Sequence, residues 1–356
     1  MLSDQTIFLT GFPGFIAGRL VKRLATEGAR FLLLVQPTFI ARARQDTERI
    51  ATEAGVSPAN FHIVEGDITR ADLGLSSAEL ETARREATML FHLAALYNLA
   101  VPRDIAMRVN VEGTRNVNRL ALTLRSLNRY NYVSTCYVAG LRRGVILESE
   151  LRHEAGFSNF YEETKYLAEL ETDALKTELP VTIYRPAVVC GDSKTGETAK
   201  YDGVYYLINY LRLQPDLLSL ANIGNHEARL NIVPVDFIVE AMAALAADER
   251  ARGATVQLAD PNPPTTHDLF EIIAESLSGR RPRVTLPAPL VRSALALPFS
   301  EAVTGLPTVS APYFFANQTF DTARARGLLE PHHTACPAFA SYAKVLTDFV
   351  IRHPKL

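Results

Sequence analysis

Short apolar runs alternate with amphipathic stretches through the first half of the chain, and this alternation constrains the fold more than any other feature. Residues 6–10 (TIFLT) read as a short buried strand that leads into a glycine-rich turn. Residues 18–27 read as a helix with Leu20, Val21 and Leu24 on one face, stopped by Gly28. A second apolar strand spans 31–35 (FLLLV). Then come helix 41–54, strand 61–65, helix 76–85, strand 89–93, helix 110–127 and strand 129–134. A further helix begins near Tyr161, and another strand runs over 181–184. Nearly continuous apolar strands suit a parallel sheet covered on both faces. Repeated strand-helix units are the pattern of a doubly wound sheet.

After Arg185-Pro186 the regularity fades, and 191–203 reads as a polar, glycine-containing loop. Residues 231–234 (NIVP), helix 235–247 and strand 254–258 return to the earlier style, and 260–264 (DPNPP) breaks it again. Beyond lie helix 266–277 and a proline-rich, irregular tail, in which 286–299 reads as a loop leading to a partly buried helix. The expected class is therefore α/β: a Rossmann-type doubly wound parallel sheet with a smaller α/β substrate-binding domain formed mainly by the C-terminal part. The expected boundaries are 1–190 for the nucleotide-binding domain, with 231–258 returning to it, and 191–230 plus 259–356 for the substrate-binding domain. A chain of 356 residues, 47% hydrophobic, is long enough for this arrangement.

A formal net charge of −2 gives no bulk basicity, so nucleic acid is not an expected partner. The three cysteines, Cys136, Cys190 and Cys336, are far apart and form no metal-binding spacing. No metal is expected, and a reducing, cytoplasmic compartment fits better than an oxidising one. The N-terminus lacks a basic segment followed by an apolar one, so no signal peptide is read there. No apolar run reaches transmembrane length; 286–299 is short, proline-interrupted and carries Arg292.

The first turn reads Thr10-Gly11-Phe12-Pro13-Gly14-Phe15-Ile16-Ala17-Gly18. Glycines let the backbone approach a pyrophosphate, and the following helix presents free N–H groups to it. A lone glycine-rich turn is a weak signal, but here it follows a strand and opens a helix. NAD-preferring sites often place Asp or Glu at the end of the second strand. This chain has Gln36, followed by Arg42 and Arg44. Without a carboxylate, and with guanidinium groups nearby, NADP(H) is the expected cofactor rather than NAD(H). Either arginine reads equally well as a solvated position on the next helix. Asp67 and Ile68, after the third strand, are expected at the adenine, although Asp67 also reads as a helix cap. Leu93, Ala94 and Ala95 end the fourth strand, where small residues let a cofactor lie close.

Tyr161 and Lys165 are spaced i,i+4 and so point the same way on a helix. An ammonium near a phenol favours the phenolate and lowers the tyrosine pKa, so that the tyrosine exchanges a proton with a carbonyl or alcohol oxygen. That spacing alone is common. Thr135, directly after the strand 129–134, adds a hydroxyl aimed at the same place, with Ser134 the neighbouring candidate; strand alternation aims only one of the two at the site.

Thr10-Gly11-x-x-Gly14, Tyr161-x-x-x-Lys165 and Arg185-Pro186 resemble the extended short-chain dehydrogenase/reductase family over most of the chain. More narrowly, 132–135 (YVST), 184–196 (YRPAVVCGDSKTG) and 231–237 (NIVPVDF) look like its fatty acyl-CoA reductase and thioester reductase branch. The resemblance implies Thr135, Tyr161 and Lys165 as catalytic set, with Tyr161 and Lys165 also touching the cofactor. It implies that Pro186, Ala187, Val188 and Val189 line the nicotinamide pocket. Two departures stand out: Ala17 occupies the place of the family's third glycine, and Gln36 the place of a frequent arginine. The additional C-terminal domain of eukaryotic fatty acyl reductases and any carrier or adenylation domain are absent, which implies a free-standing enzyme. The same resemblance implies that helices 110–127 and 161–175 could pair with their copies in a homodimer, as in many relatives, while their apolar positions read nearly as well as intramolecular core.

The expected substrate region, 191–229 and from about 265 onward, is rich in apolar and aromatic residues. Among them are Tyr201, Tyr205, Tyr206, Tyr210, Leu213, Leu217, Leu218, Leu290, Leu295, Leu297, Phe299, Phe314 and Phe315. Most of these suit the smaller domain's own core. Together they favour a hydrophobic acyl or ring-bearing substrate. Tyr97, Tyr137, Ser134 and Tyr205 are the candidate substrate contacts. The leading expectation is hydride transfer to a hydrophobic acyl thioester or derived aldehyde. A keto/hydroxy dehydrogenase or sugar-nucleotide epimerase on the same fold, and a non-catalytic NADP-binding sensor, stay as alternatives.

Overall fold

The opening apolar run forms β1 (Thr6–Thr10), every residue of it buried. The computed structural model describes residues 2–213, 221–282, 284–297, 300–301 and 305–355. Helix α1 (Phe15–Ala25) starts immediately after Gly14, earlier than the periodicity suggests, because the Gly18 N–H already bonds the Gly14 carbonyl at 2.8 Å. The chain then alternates through β2 (Arg30–Val35), α2 (Ile40–Ala54), β3 (Phe61–Glu65), α3 (Ser77–Glu86) and β4 (Met89–His92). Ser76 and Glu79 cap α3 reciprocally, which fixes its start. After β5 (Arg129–Val133), α6 (Phe160–Ala174) and β7 (Val181–Pro186), strand β11 (Thr255–Leu258) completes a seven-stranded parallel sheet in the order β11-β7-β5-β4-β1-β2-β3. Strand order reverses between β1 and β4. In such sheets the crevice at the carboxyl ends of these strands is where ligands bind.

Two cores cover the sheet. On one face α1, α2 and α8 (Val235–Ala247) pack with α11 (Ala323–Leu329). On the other, α3, α5 (Gly113–Thr123) and α6 pack with Phe8, Leu32, Tyr130 and Ile183. A third core joins β8 (Val188–Cys190), α7 (Val204–Leu213), α9 (Thr266–Ser278) and α12 (Phe339–Arg352). Strand β10 (Ile232–Pro234) pairs with β8.

Three stretches differ from the sequence expectation. The helix expected from residue 110 begins as α4 (Arg103–Ala106), passes through a π-helical segment (Met107–Glu112) and continues as α5, ending at Thr123. A search at 3.6 residues per turn misses wider turns. The π segment carries the buried Asn110 amide against the Leu96 backbone, at 2.7 Å from its N–H and 3.3 Å from its carbonyl, and against Thr164 at 3.0 Å. The second difference is at the start of 286–299, expected as a loop leading to a partly buried helix: the chain there is still in a strand that ends at Pro287, while α10 (Ala288–Leu295) is partly buried as expected, with Ala288 and Val291 against the third core and Leu290 59% exposed. Helix α10 also stands beside the two-stranded sheet of β9 (Ala221–Gly224) and β12 (Val284–Pro287). Third, the tail is not irregular. It holds β13 (Gln318–Phe320), paired with β6 (Gly144–Ile146), then α11 and α12. Helix α12 buries Phe339, Tyr342, Ala343, Leu346 and Val350, a helical stripe. Leu217, Leu218 and Phe299 lie outside the described residues.

Candidate active site

The turn after β1 is shaped for close approach. Gly11 has φ +95°, and a Cβ there would lie 2.8 Å from the Ala94 nitrogen; a Cβ on Gly14 would lie 2.7 Å from the Gly11 carbonyl oxygen. Gly18, by contrast, has open space, so Ala17-Gly18 places no such demand. The turn forms one end of a cleft of about 870 Å³ that runs along the carboxyl ends of the strands. Of the expected cofactor contacts, Gly11, Gly14, Phe15, Ile16, Arg42, Leu93, Ala94, Ala95 and Pro186 through Val189 line it. Its glycine cradle and small strand ends suit an extended dinucleotide.

Six expected cofactor contacts lie outside that lining. Thr10 is buried between strands: its hydroxyl hydrogen-bonds His92 Nδ1 at 2.7 Å and accepts the Ala94 N–H at 3.2 Å. Burial pushes the His92 imidazole down to about 3, so the ring is neutral. Phe12 belongs to the first core. Ile68 packs in the second core, under Gly113. The Gln36 amide donates to Asp67 at 3.0 Å, and the other Asp67 oxygen caps its own turn through the Thr69 N–H at 2.8 Å. Arg44 is an exposed position on α2.

Thr135, Tyr161 and Lys165 meet in the same cleft. Thr135 follows β5; its hydroxyl accepts the Tyr137 N–H at 3.3 Å and lies 3.4 Å from the Pro186 carbonyl. Asn159 caps α6, accepting the Glu162 N–H at 3.0 Å, and so fixes where Tyr161 and Lys165 sit one turn apart. Tyr161 is buried with its ring edge-on to Tyr97, centroids 5.2 Å apart. Lys165 donates to the Val133 carbonyl at 2.8 Å and to the Tyr132 hydroxyl at 3.1 Å.

The electrostatics differ from the simple expectation of a lysine lowering the tyrosine pKa. Burial raises the Tyr161 phenol above its usual range, and the opposing contribution is a hydrogen bond from Thr135. Burial pushes Lys165 down to about 8, opposed by the Glu169 carboxylate one turn along. The Thr135 hydroxyl, not the ammonium, is thus the group that favours the phenolate in the protein alone.

Two candidate substrate contacts are committed elsewhere. The Ser134 hydroxyl donates to the fully buried Glu169, whose other oxygen binds Arg185 through Nε at 2.8 Å and Nη2 at 2.5 Å. Of the pair 134/135, Thr135 is therefore the one whose hydroxyl is not held by a buried carboxylate. Tyr205 sits in the third core, its hydroxyl accepting the Gly191 N–H at 2.8 Å; its neighbour Tyr206 lines the cleft instead. Tyr97 and Tyr137 both line it.

Sequence reading missed Asn110, Glu169, Lys200 and Tyr313. Glu169 carried a signal, lying i,i+4 from Lys165. Lys200 pairs with Asp202 at 2.5 Å and lies 4.4 Å over the Tyr97 ring. Nothing local marked Asn110 or Tyr313, whose partners are distant in the chain. Among the described residues no cluster of His, Cys, Asp or Glu is arranged to hold a metal, and no helix is long and apolar enough to cross a membrane.

Comparison with known proteins adds to this geometry. The profile of a family described as Male sterility protein matches residues 9–242. Glycine betaine reductase ATRR of Emericella nidulans is 26% identical over 283 residues, covering 75% of this chain and 22% of that protein. Fatty acyl-CoA reductase wat of Drosophila melanogaster is 27% identical over 281 residues, covering 69% of this chain and 54% of that protein. The chain therefore spans only part of these relatives. The crystal structure of the terminal R domain from the myxalamid PKS-NRPS biosynthetic pathway superposes with a TM-score of 0.83 at 26% identity, covering 99% of this chain and 92% of that one.

Proposed function

The chain belongs to the Male sterility protein family, an NAD(P)-binding branch of the extended short-chain dehydrogenase/reductases, and from that premise we propose that it is an NADP(H)-dependent reductase of hydrophobic acyl thioesters. The observation that carries this reading is the convergence of Thr135, Tyr161 and Lys165 in one cleft with the glycine turn at one end and Tyr97, Tyr206 and Phe314 along its walls. Residues 191–230 and 259–356 would supply the substrate side.

The turn 10–16 and the strand ends at 93–95 and 186–189 would hold the dinucleotide, which supplies hydride to the acyl carbon when bound. Tyr161 donates a proton to the acyl oxygen, and Thr135 hydrogen-bonds that oxygen and steadies the phenolate left behind. Lys165 would hold the ribose of that dinucleotide from the same helix face as Tyr161. Loss of the thiol from the resulting hemithioacetal leaves an aldehyde, and a second round would give the alcohol. The aromatic walls exclude water around the reacting carbon. The test is to supply NADPH with acyl-CoAs of increasing chain length and follow NADPH loss together with free thiol release. One thiol per first NADPH, with rate dependent on chain length, supports thioester reduction. NADPH loss with ketones alone would move the assignment to a keto/hydroxy dehydrogenase.

The choice of NADPH rests on Gln36, which stands at the end of β2 in place of an acidic residue, and on Arg42, which lines the cleft with an exposed guanidinium 3.6 Å from Asp46. Arg42→Ala is expected to cut the ratio of kcat/KM for NADPH over NADH about tenfold. An unchanged ratio would remove Arg42 from the phosphate site.

The pH profile has a definite sign. The value of kcat/KM reports the free protein. Lys165 must be charged to act, and burial has lowered it to about 8, so kcat/KM falls as pH rises through about 8. Stability moves the other way: the unfolded lysine keeps its proton to near 10.5, so the cost of burying it fades between about 8 and 10.5. A kcat/KM that is flat to pH 10 would show that Lys165 does not control the reaction.

A further inference from the structure

Glu162 follows Tyr161 directly, is almost fully buried, and has no ion-pair partner among the described residues. A buried carboxylate without a cation is costly unless hydrogen bonds satisfy it. One of its oxygens accepts the Ser158 N–H at 2.8 Å and the other accepts the hydroxyl of Tyr313. That same hydroxyl accepts from Asn159 Nδ2 at 2.7 Å, so one tyrosine oxygen is held from two sides by the first turn of α6. Burial raises the Glu162 carboxyl, and the Tyr313 bond opposes the rise.

Tyr313 comes from the 3-10 turn Ala311–Phe315, and lies 151 residues beyond Glu162 and 154 beyond Asn159 in the chain. Its ring stands edge-on to Tyr137, centroids 5.0 Å apart, and lines the cleft together with Pro307, Val309 and Phe314. The far side of the same turn is anchored independently: the Phe314 carbonyl accepts from Thr266 Oγ1 at 2.8 Å and from Asn225 Nδ2 at 3.2 Å. The segment 307–314 therefore forms a wall hinged at Phe314 on the smaller subdomain and fastened at Tyr313 to the helix that carries Tyr161 and Lys165.

We propose that Tyr313 is a positioning and specificity-determining residue: its hydroxyl, held by Glu162 and Asn159, fixes an aromatic wall that seats the acyl portion of the substrate next to Tyr161. This rests on the thioester-reductase reading for its substrate, while the latch itself does not. A fixed ring contributes binding before and during the reaction alike, so removing the latch raises KM more than it lowers kcat.

The test uses Tyr313→Phe, which keeps the ring and removes the hydroxyl, with Glu162→Ala and Glu162→Gln beside it. Hydrogen exchange of the segment 305–317 in the protein alone reads the latch. Exchange there is expected to quicken about tenfold in Tyr313→Phe and Glu162→Ala, and much less in Glu162→Gln, whose amide oxygen still accepts the hydroxyl. Kinetics read the role: KM for a long acyl-CoA rises about tenfold in Tyr313→Phe, kcat stays within about threefold, and KM for NADPH is unchanged. Unchanged exchange in Tyr313→Phe would overturn the latch. Quickened exchange with unaltered KM would overturn the specificity role. Quickened exchange in a protein that turns over no thioester even as wild type would leave the latch standing and reject the substrate reading instead.

Discussion

Tyr161→Phe is expected to lower kcat for acyl-CoA reduction by about a thousandfold while NADPH binds as before, since a positioned general acid contributes roughly 10²–10⁴-fold. The substitution keeps the buried ring and its edge-on contact with Tyr97 at 5.2 Å, so the wall of the cleft persists. It removes the hydroxyl that Thr135 hydrogen-bonds and with it the proton for the acyl oxygen. The neighbouring hydroxyls do not replace it: Ser134 is committed to Glu169, and Tyr132 to Lys165. Fluorescence titration of NADPH against both proteins, with steady-state rates on one acyl-CoA, checks the claim. A loss of less than tenfold with NADPH affinity intact would mean that protonation comes from elsewhere.

Glu169→Ala is expected to cost about 3–5 kcal/mol of stability, the range found when one partner of a buried ion pair is removed. Glu169 is fully buried and holds Arg185 through two bonds and Ser134 through a third. Without it the Arg185 guanidinium, itself only 2% exposed, keeps among the described residues the Glu150 carbonyl at 2.9 Å. The same pair fastens the end of β5 to α6 and to the end of β7, so Thr135 loses its fixed place relative to Tyr161. Glu169→Gln keeps an acceptor for Arg185 and is expected to lose less. Urea unfolding of the three proteins measures the order directly. A loss under about 1 kcal/mol for the alanine variant would show that the ion pair is not what locks these elements together.

The sheet was readable because its strands are apolar runs bounded by polar stops: β1 and β3 fall on the expected residues, and β2, β4, β5 and β11 within a residue or so. The meeting of Thr135, Tyr161 and Lys165 was likewise legible, since a strand end and one helical turn fix where those side chains point. What escaped depends on contacts between residues far apart in sequence. The π turns at Met107–Glu112 follow from Asn110 reaching Leu96 and Thr164, which no local period records. The fate of Ser134 was decided by Glu169, 35 residues on, and that of Tyr313 by Glu162. Helix α12 is a different case, for its apolar stripe stood in the sequence and was hidden only by the prolines that precede it.

The measurement that bears most directly on the proposed chemistry is isotope transfer from NADPH deuterated at the nicotinamide C4 to a long-chain acyl-CoA. The expected product is an aldehyde, or the alcohol derived from it, with deuterium on the former thioester carbon, and none formed by Tyr161→Phe. Oxidised cofactor without deuterium at that carbon, or labelled product from the Tyr161→Phe protein at the wild-type rate, would contradict it.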